Sequence, residues 1–197
     1  IYNWRNIQQL RRDTDAARTH RSTPPSIGTI ARLDFSKDHP TLLRAFARVR
    51  ATSEHVTLNI IGDGPNREDL YELAHQLTLD ASVSFLGHRD DIAAQLANLD
   101  LFVLATSPME GLPGVLVEAM AAGVPIVCSD VPGCREALGD AAILVAPQDE
   151  VALANAIGRL LADGPLREQL AKKAYARAQA LFSYEATLAE VLSLAYT

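Results

Sequence analysis

The stretch "DLFVLATSPMEGLPGVLVEAM", residues 100–120, passes from a continuous apolar run through a polar, glycine-bearing loop into a helix-like segment. Leu101 to Leu104 carry no alternation, which is the pattern of a strand buried on both faces. Pro113 suits the first turn of a helix, because its missing N–H would have no intrahelical partner there. The same strand, loop and helix order recurs along the chain. "SIGTIARL" precedes "HPTLLRAFARVR", "VTLNIIG" precedes "NREDLYELAHQL", "SVSFLG" precedes "DDIAAQLANL", and "PIVCS" and "AAILVAP" supply two further strands. Short Val- and Ile-rich runs bounded by Gly, Pro and Asp and separated by amphipathic segments predict an α/β fold, a doubly wound parallel sheet of Rossmann-like type. After Pro147 the pattern is wholly helical and predicts extra C-terminal helices, with Asp149 and Ser183 as N-caps and "ADGP", residues 162–165, as the break between two of them. Residues 1–25 are polar, lack an apolar stripe over their full length and end at Pro24-Pro25; they read as an interdomain linker or edge segment. Residues 26–197 read as one domain.

Composition narrows the function classes. The chain has 197 residues, is 48% hydrophobic and carries a formal charge of −6, so it can bury a sizeable core and has no basic surplus for a nucleic-acid backbone. Cys128 and Cys134 have neither metal nor redox spacing, and two cysteines make no disulfide scaffold, which points to a reducing compartment. No apolar run reaches about 18 residues and no N-terminal signal pattern is present, so a membrane span or signal-directed export of this segment is not expected. The chain opens on Ile1, as a fragment would.

In a doubly wound sheet, ligands bind outside the C-terminal ends of the strands, where helix N-termini face a crevice. Glu110 lies in the loop after the 101–104 run and Glu118 in the following helix. At about 1.5 Å of rise per residue, Glu118 sits roughly 6 Å along the axis from Gly114, so the two carboxylates flank that helix N-terminus. An anion could rest on the backbone amides between them. Gly114, Ala121 and Ala122 share the face of Glu118 and would leave a groove of small residues. A carboxylate in apolar surroundings needs donors, and a ribose offers two hydroxyls. The same spacing fits equally well a solvated helix face and a polar loop. "GDGP", residues 62–65, reads as turn chemistry, because Pro65 breaks a dinucleotide fingerprint. Asp38 reads as a charge at a helix start. His20, His39, His55 and His75 have no metal-ligand spacing, and Cys134 is expected in a strand-end loop beside the pocket.

The 100–120 stretch resembles the E-x7-E signature of the retaining glycosyltransferases of family 4, whose GT-B fold binds a nucleotide sugar on its C-terminal half. "IGTIARLDFSKDHPTLLRAF", "IIGDGPNREDL", "VSFLGHRDDI", "GVPIVCSDVPGCREAL" and "AAILVAPQDEVALANAI" resemble the other motifs of that half, in order and spacing, from about Ser26 onward. Departures are Trp4, where a glycine is common in the hinge, and Gly114, where a bulkier or amide-bearing residue is common. The resemblance implies that Arg32 and Lys37 clamp the donor diphosphate, that Glu118 holds the ribose hydroxyls, and that Glu110 faces the donor sugar. Gly111, Leu112, Pro113 and Gly114 would form the phosphate-binding helix start. The backbone around His88 and Arg89 would receive the base.

Charge on the departing diphosphate would be met by two cations and a helix N-terminus, with no metal and no cofactor. The donor would be a UDP-, GDP- or ADP-sugar, and the acceptor a glycan or lipid-linked glycan held by an N-terminal domain missing from this chain. The setting implied is polysaccharide, lipopolysaccharide or glycoconjugate biosynthesis in the cytoplasm, peripheral at the inner face of the membrane. A non-catalytic nucleotide-sugar-binding or regulatory half would keep Arg32, Lys37 and Glu118 without using Glu110. A nicotinamide-binding oxidoreductase is disfavoured by the lack of a glycine fingerprint after "SIGTIARL".

Overall fold

The computed structural model describes residues 6–18, 24–107 and 111–195. Six strands, β1 (Ser26–Ile30), β2 (Thr57–Ile61), β3 (Val83–Gly87), β4 (Leu101–Leu104), β5 (Ile126–Ser129) and β6 (Ile143–Val145), form a single sheet in the order β3-β2-β1-β4-β5-β6. Every pairing is parallel. The order reverses between β1 and β4, which is the topological switch point of a doubly wound sheet. The expected α/β fold class is therefore the observed one.

Helices cover both faces. On one side α2 (His39–Arg50), α3 (Arg67–Gln76) and α7 (Glu150–Ala162) enclose a core that includes Leu42, Phe46, Leu58, Ile60, Val103 and Ile157. On the other, α1 (Ile7–Ala17), α4 (Ile92–Ala97), α5 (Gly114–Ala122), α6 (Pro132–Leu138) and α8 (Gly164–Phe182) enclose Leu96, Phe102, Leu116, Met120, Ile126 and Phe182. The sheet therefore buries both faces, which is why β4 and β5 read as unbroken apolar runs. The last helix, α9 (Tyr184–Ala195), follows α8.

Caps set several boundaries. Asp38 Oδ1 accepts from the Thr41 amide at 3.3 Å and starts α2, Asp149 Oδ1 accepts from Val151 and Ala152, and Asp163 Oδ1 accepts from Leu166 within the "ADGP" break. Ser183 Oγ accepts from the Ala186 amide at the start of α9.

Two elements differ from the sequence reading. Residues 7–17 form α1, which packs on α4 and α5 although it is mostly polar. Its buried positions are Ile7 and Thr14, and the Thr14 hydroxyl donates to the Leu10 carbonyl at 2.8 Å, so a threonine fills an apolar slot without an orphaned donor. Cys134 lies in α6 rather than in a strand-end loop, and it is fully buried. A hydrogen bond with Cys134, reinforced by burial, pushes the Cys128 thiol well above its ordinary range, and both thiols are buried away from the surface. Among the described residues, no helix is long and apolar enough to cross a membrane.

Candidate functional site

A cleft of about 560 Å³ opens at the C-terminal ends of β1, β2 and β3, beside the N-terminus of α5. Ile30, Ala31 and Arg32 reach it from the end of β1, Ile61, Gly62 and Asp63 from β2, and His88 and Arg89 from β3. Lys37 enters from just before α2, and Pro113, Gly114 and Val115 from the start of α5. The chain thus places three cations and a helix N-terminus around one opening at the switch point. Pro113 is the N-cap of α5 and supplies no side-chain hydrogen bond, so the first amides of the helix are not capped from within that turn. A helix start of this kind favours an anion through its N–H groups and its dipole.

The loop between β1 and α2 is held firmly. Asp34 Oδ1 accepts from the Ser36 hydroxyl at 2.6 Å and from the Ser36 amide at 3.0 Å, and the Lys37 amide donates to the Asp34 carbonyl at 3.1 Å. On the other side of the switch point, the Thr106 hydroxyl and the Ser107 amide both donate to the Ser36 carbonyl at 3.0 Å, while the Asp38 amide donates to the Ala105 carbonyl at 3.1 Å. Thr106 is fixed in turn, its amide donating to Ser129 Oγ at 3.0 Å. Lys37 therefore leaves a backbone tied to two strands. Arg32 is directed by Asp34, with Nε 3.3 Å from Oδ2. The Asp34 carboxyl is held below the ordinary carboxylate range, first by the Ser36 hydroxyl, with the Ser36 amide, Arg32 and Lys37 adding to it. It stays ionised beside Arg32, whose own side chain is largely exposed to the cleft opening.

Close packing of backbones shapes the floor. A Cβ at Gly62 would sit 1.9 Å from the Ala31 carbonyl oxygen, and one at Gly64 would sit 2.4 Å from that of Leu33. Gly62 also has φ +138°, a conformation that suits glycine. "GDGP" is accordingly a close-approach turn, with the Leu33 amide donating to the Asp63 carbonyl and the Asn66 amide to the Leu33 carbonyl, each at 3.0 Å. Its Gly62 and Asp63 line the cleft, a role that the strand-end rule could have assigned once β2 was placed.

The remaining candidates are distributed as follows. His88 lies at the rim, exposed, with Nε2 3.2 Å from Asp90 Oδ1. Glu110 is outside the described residues. Gly111 and Leu112 stand back from the cleft: Gly133 at the start of α6 approaches so closely that a Cβ there would meet the Gly111 carbonyl oxygen at 2.6 Å, and Leu112 packs on the core. Glu118 is half-buried on α5, one turn beyond Gly114, and does not line the cleft. Ala121 and Ala122, expected to form an open groove with it, are fully buried; α1 and α8 pack on α5, so these small residues serve helix–helix contact. His39, at the first turn of α2, is 3% exposed, and burial pulls its imidazole down to about 4. Among the described residues, no group of three or more His, Cys, Asp or Glu side chains could hold a metal ion.

The fold has counterparts in known proteins. Residues 11–177 match the family model described as glycosyl transferases group 1. The chain is 33% identical over 155 residues to a Campylobacter jejuni N-acetylgalactosamine-N,N'-diacetylbacillosaminyl-diphospho-undecaprenol 4-alpha-N-acetylgalactosaminyltransferase, covering 77% of this chain and 41% of that one. It is 33% identical over 172 residues to the Rhizobium meliloti lipopolysaccharide core biosynthesis glycosyltransferase LpsE, covering 86% and 49%. Among solved structures, Anabaena Alr3699/HepE in complex with UDP and glucose superposes with a TM-score of 0.86 at 28% identity, over 98% of this chain and 56% of that one. The chain spans about half the length of the relatives it matches. Taken with the Rossmann-like sheet and a cleft at its switch point, these matches place the chain in the glycosyl transferases group 1 family.

Proposed function

We propose that this chain is the donor-binding half of a metal-independent, retaining glycosyltransferase that uses a nucleoside-diphosphate sugar. The observation that carries the reading is the convergence of Arg32, Lys37 and the α5 N-terminus on one cleft. As a glycosidic bond to a diphosphate breaks, charge grows on the leaving oxygens, and fixed donors stabilise it most where they need not reorganise. The Lys37 backbone is bridged to Thr106 just after β4 and Arg32 pairs with Asp34 in the same loop, so the backbone that carries both cations is held before a donor arrives. The α5 amides add donors without adding a side chain.

In this reading the diphosphate meets α5 at Pro113 and Gly114, with Gly111 and Leu112 leading the chain into that helix start from behind; His88 and Arg89 border the base, the ribose reaches past the cleft opening to Glu118 one turn along α5, and Glu110 faces the sugar. UDP is the first base to test, since the Anabaena relative holds UDP and UDP-glucose. The acceptor is a glycan or lipid-linked glycan, as the names of the Campylobacter and Rhizobium relatives suggest, and it is held by a second half. The reaction belongs to surface-glycan or glycoconjugate synthesis at the cytoplasmic face of the membrane. The test is transfer from labelled UDP-sugars in the presence of a chelator, by a protein joining this chain to an acceptor-holding half, with the anomeric configuration of the product read by NMR. A product of inverted configuration, or transfer that requires a divalent ion, would contradict the reading. Tight donor binding with no transfer at all would favour a non-catalytic binding half.

A further inference from the structure

A second cavity, of about 710 Å³, lies at the other end of the strands, where Gly123 and Pro125 lead into β5. Arg11 and Arg18 reach it from α1, and Arg167 and Lys172 from α8, whose N-terminal Gly164 and Pro165 form part of the wall. Glu168 is the carboxylate among its lining residues. In a chain of net charge −6, this concentration of cations is a local reversal of sign.

The arrangement of the arginines is specific. Arg11 Nη1 and Arg18 Nη2 both donate to one carbonyl, that of Ala122 at the end of α5, at 3.2 and 3.4 Å. Arg11 also lies over the Tyr175 ring, 5.3 Å from its centroid, and its Nε meets Asp15 at 2.8 Å. Arg167 donates through Nη1 to the Leu160 and Leu161 carbonyls at the end of α7. One cation suffices to complement a helix C-terminus. Here two guanidiniums share a single oxygen, and like charges at that separation repel. Asp15 also pairs with Arg18, at 3.8 Å, and Glu168 pairs with Lys172 at 2.6 Å, so two carboxylates stand against four cations and a surplus of positive charge remains.

We infer that this cavity is a second anion site, separate from the cleft, that takes a phosphate or diphosphate group carrying at least two negative charges. Guanidiniums suit such groups because their planar forks donate in pairs to phosphate oxygens. Helix α5 runs between the two sites: its first turn lines the cleft and its C-terminal cap lines the basic cavity, about 13 Å apart along the helix axis. The phosphate could belong to a small soluble anion or to a lipid headgroup, and the two sources share the recognition chemistry.

The experiment uses this chain with Arg32→Ala and Lys37→Ala, so that the cleft does not contribute. Sodium pyrophosphate is titrated calorimetrically at low ionic strength, and in a parallel arm the chain is sedimented with phosphatidylcholine vesicles with and without phosphatidic acid. Arg18→Gln and Lys172→Gln are then added; the two side chains are 34% and 74% exposed, and an unchanged circular dichroism spectrum and melting temperature show that the fold is kept. Binding in either arm that falls at least tenfold with the added substitutions, and weakens steeply with salt, supports the site, the responding arm naming the source. No binding in both arms, or binding that the added substitutions leave unchanged, overturns it.

Discussion

Lys37 and Thr106 form an isolated antiparallel bridge that ties the loop after β1 to the loop after β4 across the switch point of the sheet. A cation in the cleft is thereby carried by backbone fixed to two strands, and preorganisation of this kind is what lets a charge act on a developing oxyanion.

Lys37→Ala should therefore cost turnover far more than stability. Removing one preorganised donor from a developing oxyanion typically costs about 3 to 4 kcal/mol, on the order of a hundredfold or more in rate. Steady-state kinetics of the protein joined to its acceptor half measure this, with the melting temperature as control. An unchanged turnover would make Lys37 a surface cation.

Gly62→Ala probes the floor of the cleft. The added methyl would meet the Ala31 carbonyl oxygen, a backbone atom that cannot swing away, at a residue with positive φ. Strain and overpacking together predict a loss of about 2 kcal/mol or more. Urea denaturation should show a lower midpoint, and donor affinity should fall as β1 and β2 are pushed apart. A midpoint equal to that of the parent chain would contradict the close-approach account.

His39 gives a pH dependence with a defined sign. Burial lowers its folded-state value from 6.5 to about 4, so the unfolded chain binds the proton more readily between those limits. Stability from this residue is complete above about pH 6.5 and falls as pH drops toward 4, by on the order of 3 kcal/mol. Denaturation of the parent chain and of His39→Gln across this range should show a steeper decline for the parent. Parallel curves would mean that the imidazole is protonated in the folded state.

The chain alone should bind donor yet transfer no sugar. Its cleft contains cations and a helix start, and on the proposed reading the positioning of an acceptor, a contribution of roughly 7 to 11 kcal/mol, comes from groups outside this chain, which spans 49% of its Rhizobium relative. Incubation of the purified chain with labelled nucleotide sugars and candidate acceptors checks this, and robust transfer would show a complete active site within these residues.

The strands were legible because burial on both faces of a parallel sheet leaves unbroken apolar runs, as at Leu101–Leu104. Helix α2 was legible from its Asp38 cap and its periodicity. Helix α6 was not, since it has seven residues and opens on Pro132-Gly133, which locally reads as a turn. Helix α1 escaped because Thr14 takes an apolar position once its hydroxyl is bonded within the helix. Arg32 and Lys37 were found through a motif, whereas Gly62 and Asp63 needed the sheet order to reveal that β2 ends at the same opening. The small face of α5 was misread because periodicity gives the face of a residue and not what covers it. Ala121 and Ala122 meet other helices instead of a ligand.

Arg32, Lys37 and the α5 N-terminus should bind a nucleoside diphosphate without a metal. The measurement is isothermal titration of UDP into the chain in the presence of EDTA, run beside the Arg32→Ala, Lys37→Ala double variant. The parent chain should bind saturably, with no change when magnesium replaces the chelator, and the variant should lose at least a hundredfold in affinity. Binding that appears only with the divalent cation, or that the double variant retains, would contradict it.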